Sequence, residues 1–289
     1  MINYTFDKVF SPQTSQKEVF EFINNELQFR KRSSQTILTY GHTGSGKTHT
    51  IFGTNWVVAC DNLKFVTGES LINCIQEDEN SFGLIQRVLA LLFSTIQSEG
   101  LIEEIGCSFF QIYNEKITDL LNSNSDDLQV KLSPVEGVII DGLTTYQISS
   151  LEESLDVLKK GYQKRKVRDN LLNKLSSRSH TIFQIILTLK ASEQDKQKKV
   201  FVNNKLKINL CDLAGSERFM DEVSYTKEHL KELKNINLSL STLSKVIIQL
   251  SNKNYNHFHY RESKLTRVLQ DSLDGKTPSL LLAALSPVE

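Results

Sequence analysis

Three short segments of the chain hold the residue types and spacings that chemistry on a phosphate requires. Residues 41–48 read GHTGSGKT, of the form G-x-x-x-x-G-K-[ST]. Gly41, Gly44 and Gly46 let the backbone turn and bring its N–H groups close to a nucleotide's phosphates. Lys47 is long enough to reach the β- and γ-phosphates, and the Thr48 hydroxyl can ligate Mg²⁺. Residues 212–217 read DLAGSE. Asp212 can hold Mg²⁺ through water, and Gly215 can present an unobstructed N–H to a γ-phosphate. Residues 173–180 read NKLSSRSH. The Ser176 and Ser177 hydroxyls suit metal or phosphate ligation, Asn173 can orient a water, and Arg178 can pair with a carboxylate. D-x-x-G alone is common, and a Ser-rich run alone is an ordinary strand cap. The phosphate loop in the same chain gives both a shared purpose.

Each segment borders a strand pattern. TILTY (36–40) leads into the phosphate loop, and the residues from Thr48 onward can open a helix whose N-terminus favours an anion. LKINLCDL (206–213) runs into DLAGSE, and TIFQIILTL (181–189) follows the serines. CSFFQIY (107–113) and SLLLAAL (279–285) add two more strand candidates. Helical periodicity fills much of the remainder. Leu84, Ile85, Val88, Leu89, Leu92, Phe93 and Ile96 line one face of 84–97. Leu230, Leu233, Ile236, Leu240, Leu243, Ile247 and Leu250 line one face of 228–250. Strands alternating with helices imply an α/β sheet covered on both faces. Residues 54–82, 122–137 and 190–205 lack either period and read as loops, the first of a length usually functional or partly disordered.

The 289 residues fit one large domain or two small ones and are enough to bury a sizeable core. Lys+Arg and Asp+Glu are each 34, so the formal charge is zero. No global field draws the chain to nucleic acid or a membrane, and a charged partner must meet a local patch. Cys60, Cys74, Cys107 and Cys211 show no metal-site spacing and read as reduced thiols. The N-terminus lacks a signal-peptide pattern and no apolar run could span a bilayer, which predicts a cytoplasmic or nuclear protein. No N-K-x-D guanine-reading motif occurs, which disfavours GTP.

Taken together, these residues resemble a kinesin motor domain: its phosphate loop, its S-S-R-S-H first switch and its D-L-A-G-S-E second switch stand in the family order. YTFDKVF (4–10), FFQIYNEKITDLL (109–121), NINLSLSTLSKVI (235–247) and YRESKLTRVLQDSL (260–273) extend the likeness over nearly the whole chain. The resemblance implies a phosphate-loop NTPase-type three-layer α/β/α sandwich with a central, mostly parallel mixed sheet. It further implies that Gly41, His42, Thr43, Gly44, Ser45, Gly46, Lys47 and Thr48 cradle ATP. Thr48, Ser177 and Asp212 would serve Mg²⁺, and Asn173 and Ser176 would place the attacking water. Arg178 would pair with Glu217 to latch the switches, with Gly215 as the hinge. The implied partner is the microtubule, met by Arg261, Lys264 and Arg267 as a loose basic stripe on one helix. That stripe would steer association with an acidic filament and weaken with salt. A second basic run, KKGYQKRKVR (159–168), reads as a solvated helix leading to the first switch.

The chain also departs from the family pattern. It begins after the family's first strand, with its adenine-packing R-x-R-P segment, and stops at SPVE before the last helix and neck linker. The expectation is therefore a single incomplete motor domain over 1–289 with a long loop insertion at 54–82. Oligomerisation would reside only in segments absent here, and localisation would be cytoplasmic, on the microtubule cytoskeleton. Leu238, Gln86 and His259 replace a common Lys and two Pro residues, away from the hydrolytic positions. The leading function is a microtubule-stimulated Mg-ATPase. The alternatives are a non-hydrolysing or fragmentary microtubule-binding module and a phosphate-loop ATPase unconnected to tubulin.

Overall fold

The computed structural model describes residues 5–122, 125–134, 136–171, 177–190, 204–217, 227–252, 258–275 and 277–286. The first helix, α1 (Gln16–Glu26), starts at a capping box in which Ser15 Oγ accepts the Glu18 N–H and the Glu18 carboxylate accepts the Ser15 N–H. Strand β1 (Gln35–Tyr40) enters the phosphate loop, and α2 (Lys47–Phe52) leaves it.

The span 54–82, expected as a loop, folds instead as α3 (Trp56–Asn62) and α4 (Gly68–Glu77). The reason lies in the next helix, α5 (Leu84–Glu99). Its Arg87 is fully buried and donates to the Ile75, Gln76, Asp78 and Phe82 carbonyls, satisfying backbone acceptors at the end of α4 and just after it. Leu71, Ile72 and Ile75 of α4 are buried in the same core as α5, so this span is packed rather than solvated. Gln86, where the family often has Pro, accepts the Gly83 N–H and donates to the Phe52 carbonyl, joining α5 to α2.

Strands β2 (Ile102–Tyr113) and β3 (Lys116–Asp119) form a hairpin. The expected loop at 122–137 contains β4 (Gln129–Ser133), which pairs with β5 (Gly137–Asp141) as a separate two-stranded ribbon. After β6 (Tyr146–Ile148) come α6 (Leu151–Leu171), β7 (His180–Leu189) and β8 (Lys205–Asp212). The expected 190–205 connection lies mostly outside the described residues. Then follow α7 (Lys227–Ser251), α8 (Lys264–Val268) and β9 (Ser279–Ala283).

The main sheet is mixed, in the order β3-β2-β7-β8-β1-β9, with β6 also paired to β2. Strand β1 runs parallel to β8 and β9, while β7 is antiparallel to both β2 and β8. Thus β1, β2, β8 and β9 point one way and β3, β6 and β7 the other. Side chains alternate between two cores, as the strand period demands. Ile37, Phe109, Phe183 and Leu210 join α1 to α6 in the first core. Their neighbours Leu38, Phe110, Ile182 and Cys211 join α7 and α8 in the second. On α7 the buried residues include Ile236, Leu240, Leu243 and Val246; Ile247, expected on the core stripe, is 40% exposed. All four cysteines are free.

Candidate nucleotide site

The register of the sheet brings the three chemical segments to one edge. Thr39 of β1 pairs with Asp212 at the end of β8, and Asp212 pairs with Thr181 near the start of antiparallel β7. The phosphate loop, the end of β8 and the start of β7 therefore meet outside the carboxyl ends of β1 and β8, where α/β sheets hold ligands. Gly46, at φ 105°, occupies the left-handed region and sets the turn into α2, a conformation that disfavours any residue with a Cβ.

Lys47 is buried, and its ammonium donates to the Gly41 and His42 carbonyls at 2.7 and 2.5 Å. Burial lowers its pKa, partly opposed by the Asp212 and Glu217 carboxylates. The Thr48 hydroxyl donates to Asp212 Oδ2 at 2.7 Å. The same oxygen accepts a charge-assisted bond from Arg165 of α6 at 2.9 Å, both side chains being 2% exposed. Asp212 Oδ1 is buried and has no hydrogen-bond partner among the described residues. A hard carboxylate oxygen with spare acceptor capacity, on the carboxylate that Thr48 touches, suits Mg²⁺.

Backbone bonds tie the segments together. Gly215 N–H donates to the Ser177 carbonyl at 2.8 Å, and Ser216 N–H donates to the Gly41 carbonyl at 3.1 Å. Ala214 N–H donates to His180 Nδ1 at 3.1 Å. The Glu217 carboxylate accepts the Thr43 N–H at 2.9 Å and the Thr43 hydroxyl. Burial works against its charge. The bonds from Thr43, its own backbone and the Lys47 ammonium prevail and hold its pKa below the usual carboxylate range. A Cβ at Gly215 would lie 2.4 Å from the Glu217 carboxylate and 2.5 Å from the Thr43 hydroxyl, so any larger residue would have to push these two side chains apart from their present contact.

The structure brings residues 41–48 together with Ser177, Asp212, Gly215 and Glu217, with Arg178 in the turn that precedes β7. Asn173 and Ser176 lie outside the described residues. The hydrogen bonds described for the Glu217 side chain come from Thr43, not from Arg178. The basic stripe is not on a single helix. Arg261 is exposed on a 3₁₀ turn at Tyr260–Glu262, while Lys264 and Arg267 belong to α8 and reach Gln129 and Gln270. Ser263 interrupts the two with extended backbone and caps α8 through its hydroxyl.

Arg165 is the site residue that the sequence reading passes over. In the basic run of α6 it counts as a solvated charge, yet Leu151, Leu155 and Leu158 are buried and Arg165 follows on the same stripe. Its guanidinium also lies 5.2 Å from the centroid of the Phe52 ring. Helical phase was the available signal: spacings of four, three and seven keep all four residues on one face. Much of the rest of that run is engaged too. Lys159 pairs with Asp61, Lys164 donates to the Asp119 and Asn122 carbonyls, and Arg168 pairs with Asp126.

Comparison with known proteins places this geometry. A family model described as the kinesin motor domain matches residues 1–289. Kinesin-related protein 5 of Dictyostelium discoideum is 37% identical over 292 residues, covering 98% of this chain and 27% of the relative. Kinesin-like protein Klp61F of Drosophila melanogaster is 34% identical over 290 residues, covering 98% and 26%. The chain therefore spans about a quarter of the length of these relatives. Among solved structures, a fast kinesin described for its ATPase mechanism and interactions with microtubules superposes with a TM-score of 0.79. It is 32% identical, over 98% of this chain and 74% of that one. The fold, the phosphate loop and these matches agree: the chain belongs to the kinesin motor-domain family.

Proposed function

We propose that the chain is a microtubule-stimulated ATPase head, coupling Mg-ATP hydrolysis to filament binding and movement. The observation that carries this reading is the meeting of the phosphate loop, Ser177–His180 and Asp212–Glu217 at one sheet edge, tied by backbone bonds and adjoining α7. The N–H groups of residues 41–48 would hold the phosphates, with Lys47 exchanging its carbonyl partners for phosphate oxygens. Thr48, Ser177 and Asp212 would hold Mg²⁺, which would supply charge neutralisation to the phosphates. Arg165 would hold the Asp212 carboxylate in place.

For Gly215 to donate to a γ-phosphate, its N–H must leave the Ser177 carbonyl. For Arg178 to pair with Glu217, the guanidinium must reach a carboxylate that now accepts the Thr43 N–H and hydroxyl. Both changes exchange present polar contacts for new ones, so the two arrangements can lie close in energy and nucleotide can choose between them. Asn173 and Ser176 would then place the attacking water, and hydrolysis would proceed by positioning and charge stabilisation. Arg261, Lys264 and Arg267 would meet the acidic filament surface. We place the protein in the cytoplasm on microtubules; among the described residues, no helix is long and apolar enough to cross a membrane.

Steady-state ATPase with and without microtubules tests the proposal. Turnover accelerated by filaments is the expected result. Filament binding without turnover would replace the reading with a non-hydrolysing module, and turnover indifferent to filaments would remove the motor assignment.

A further inference from the structure

His180 opens β7 and is 3% exposed, with hydrogen bonds from both ring nitrogens. Ala214 N–H can only donate, so the Nδ1 that receives it carries no proton. A neutral imidazole then bears its hydrogen on Nε2, which donates to Ser239 Oγ of α7 at 2.7 Å. Ser239, 2% exposed, is left to donate its own hydrogen to the Ile236 carbonyl at 2.7 Å. Every donor in this series has one acceptor, and its direction is fixed from Ala214 through His180 to α7. Burial holds the His180 pKa down at about 3, so the ring stays neutral and works as a strut rather than a proton carrier.

The position of the strut gives it a role. Ala214 immediately precedes Gly215, the residue whose N–H must change partner when a γ-phosphate is sensed. Along the chain, Ala214 reaches Ser239 only through residues 215–238. Through the imidazole it reaches Ser239 in two hydrogen bonds, inside a close-packed interior that passes displacement on rather than absorbing it. The other polar tie described between α7 and the sheet is the Asn235 amide on Asn114, in the β2–β3 turn away from the nucleotide segments.

We propose that His180 is a positioning residue that couples the second switch to α7, with Ser239 as its receiving partner. The relay rests on the reading of the chain as a nucleotide-driven head, and the tests separate the two. Amide hydrogen exchange of α7, compared between MgADP and a non-hydrolysable Mg-ATP analogue, reads transmission without turnover or filaments. The wild type and Ser239→Thr, which keeps the hydroxyl, should both show nucleotide-dependent protection of α7. Ser239→Ala removes one oxygen on the helix and leaves the Ala214–His180 bond in place. It should lose most of that difference while keeping nucleotide affinity and basal turnover, with a melting temperature only a few degrees lower because the buried imidazole N–H loses its acceptor.

Filament stimulation of Ser239→Ala should fall by about tenfold, the scale of one buried hydrogen bond. His180→Asn presents an oxygen near the Nδ1 position but is too short for Ser239, so it should lose the same stimulation. The double variant should be no worse than His180→Asn alone, since both changes cut one series. An unchanged nucleotide response in Ser239→Ala, multiplied losses in the double variant, or no nucleotide response in wild-type α7 would each overturn the relay. A wild-type α7 that responds to nucleotide, with turnover indifferent to filaments, would leave the relay standing and remove the motor reading.

Discussion

On one face of the sheet Phe109, Phe183, Ile185 and Leu210 sit in a continuous apolar core with six helices, α1 to α6. On the other, Leu38, Phe110, Ile182 and Cys211 meet α7, α8 and the β4–β5 ribbon in a smaller cluster. Further down the same face, Gln184, Ile186, Thr188, Lys207 and Asn209 line an open cavity of about 580 Å³. The first face therefore anchors the phosphate loop and Arg165 through dense hydrocarbon packing. The second holds α7 and α8 with less apolar burial and with identifiable polar ties: His180 to Ser239, Asn114 to Asn235, and Glu115 to Ser263 and the Lys264 N–H. A loop that must keep its shape around a nucleotide needs the first kind of support. A helix that must shift suits the second, because a hydrogen bond can exchange partners whereas a filled core has few alternative packings.

The largest effect belongs to the anchored side. Lys47→Ala deletes the ammonium that sits among the loop carbonyls. Nucleotide affinity should fall by at least about a hundredfold, as expected for losing a buried charged contact to phosphate. Equilibrium binding of a fluorescent ATP analogue checks this, and retained affinity would contradict the phosphate-loop assignment.

Adjacent residues of β2 test the contrast between the faces directly. Phe109 and Phe110 are both fully buried, one in each core. Truncating either ring to Ala should cost about 3–5 kcal/mol. Phe109→Ala should lower the single melting transition, because the first core is continuous. Phe110→Ala should first raise hydrogen exchange in α7 and α8 while α5 and α6 stay protected. If both variants unfold in the same all-or-none manner, the faces form one cooperative unit and the contrast fails. Arg165→Met works at the seam, since it leaves Asp212 buried without its counter-charge and should destabilise by about 3–5 kcal/mol. The double variant Arg165→Met, Asp212→Asn should recover much of that loss in a denaturant titration; no recovery would mean that the pair is not what Arg165 stabilises.

How much of this was legible follows the same physics. The phosphate loop, Asp212 and Gly215 are readable because backbone geometry and phosphate chemistry each admit few residue types. Strands β1, β2, β7 and β8 are readable because a strand buried on both faces must be apolar throughout, whereas β9 reads as apolar although alternate residues of it are exposed. Arg165, Arg87 and His180 are charged or titratable residues inside the protein, and composition assigns such residues to the surface. Only their helical phase or strand position hints otherwise. The span 54–82 was misread as loop because its helices are short and the residue satisfying the carbonyls at the end of α4, Arg87, lies ten or more residues further on. At 260–268 the family likeness suggested one helix, but Ser263 breaks it with extended backbone.

The pH dependence isolates one tie of the second face. His180 has a folded pKa of about 3 against an ordinary 6.5, so between these values the unfolded chain binds the extra proton. Stability is fully present above pH 6.5 and is lost as pH falls through this window, at no more than about 1.4 kcal/mol per pH unit for one group. Between pH 6.5 and 5, His180→Asn should therefore lose about 1–2 kcal/mol less than the wild type. Parallel curves from urea titrations would show that the imidazole takes up its proton without unfolding.

The smallest effect is expected at the filament surface. Arg261 is exposed, while Lys264 and Arg267 are half-buried and lean on Gln129 and Gln270, neutral partners that hold the side chains without cancelling their charge. Because these cations occupy two short elements separated by Ser263, they can meet an acidic surface independently. Their contributions should add rather than depend on a shared helix. Replacing all three with Ala should weaken microtubule binding roughly tenfold at low salt, on the scale of a few exposed ion pairs, and flatten its salt dependence. Basal turnover and the melting temperature should hold, because none of the three joins either core. Cosedimentation across a salt series separates the possibilities: loss of affinity with an unchanged salt slope would mean that packing, not charge, was removed. An unchanged affinity would move the partner surface elsewhere on the second face, with exposed Ile248 of α7 the next place to look.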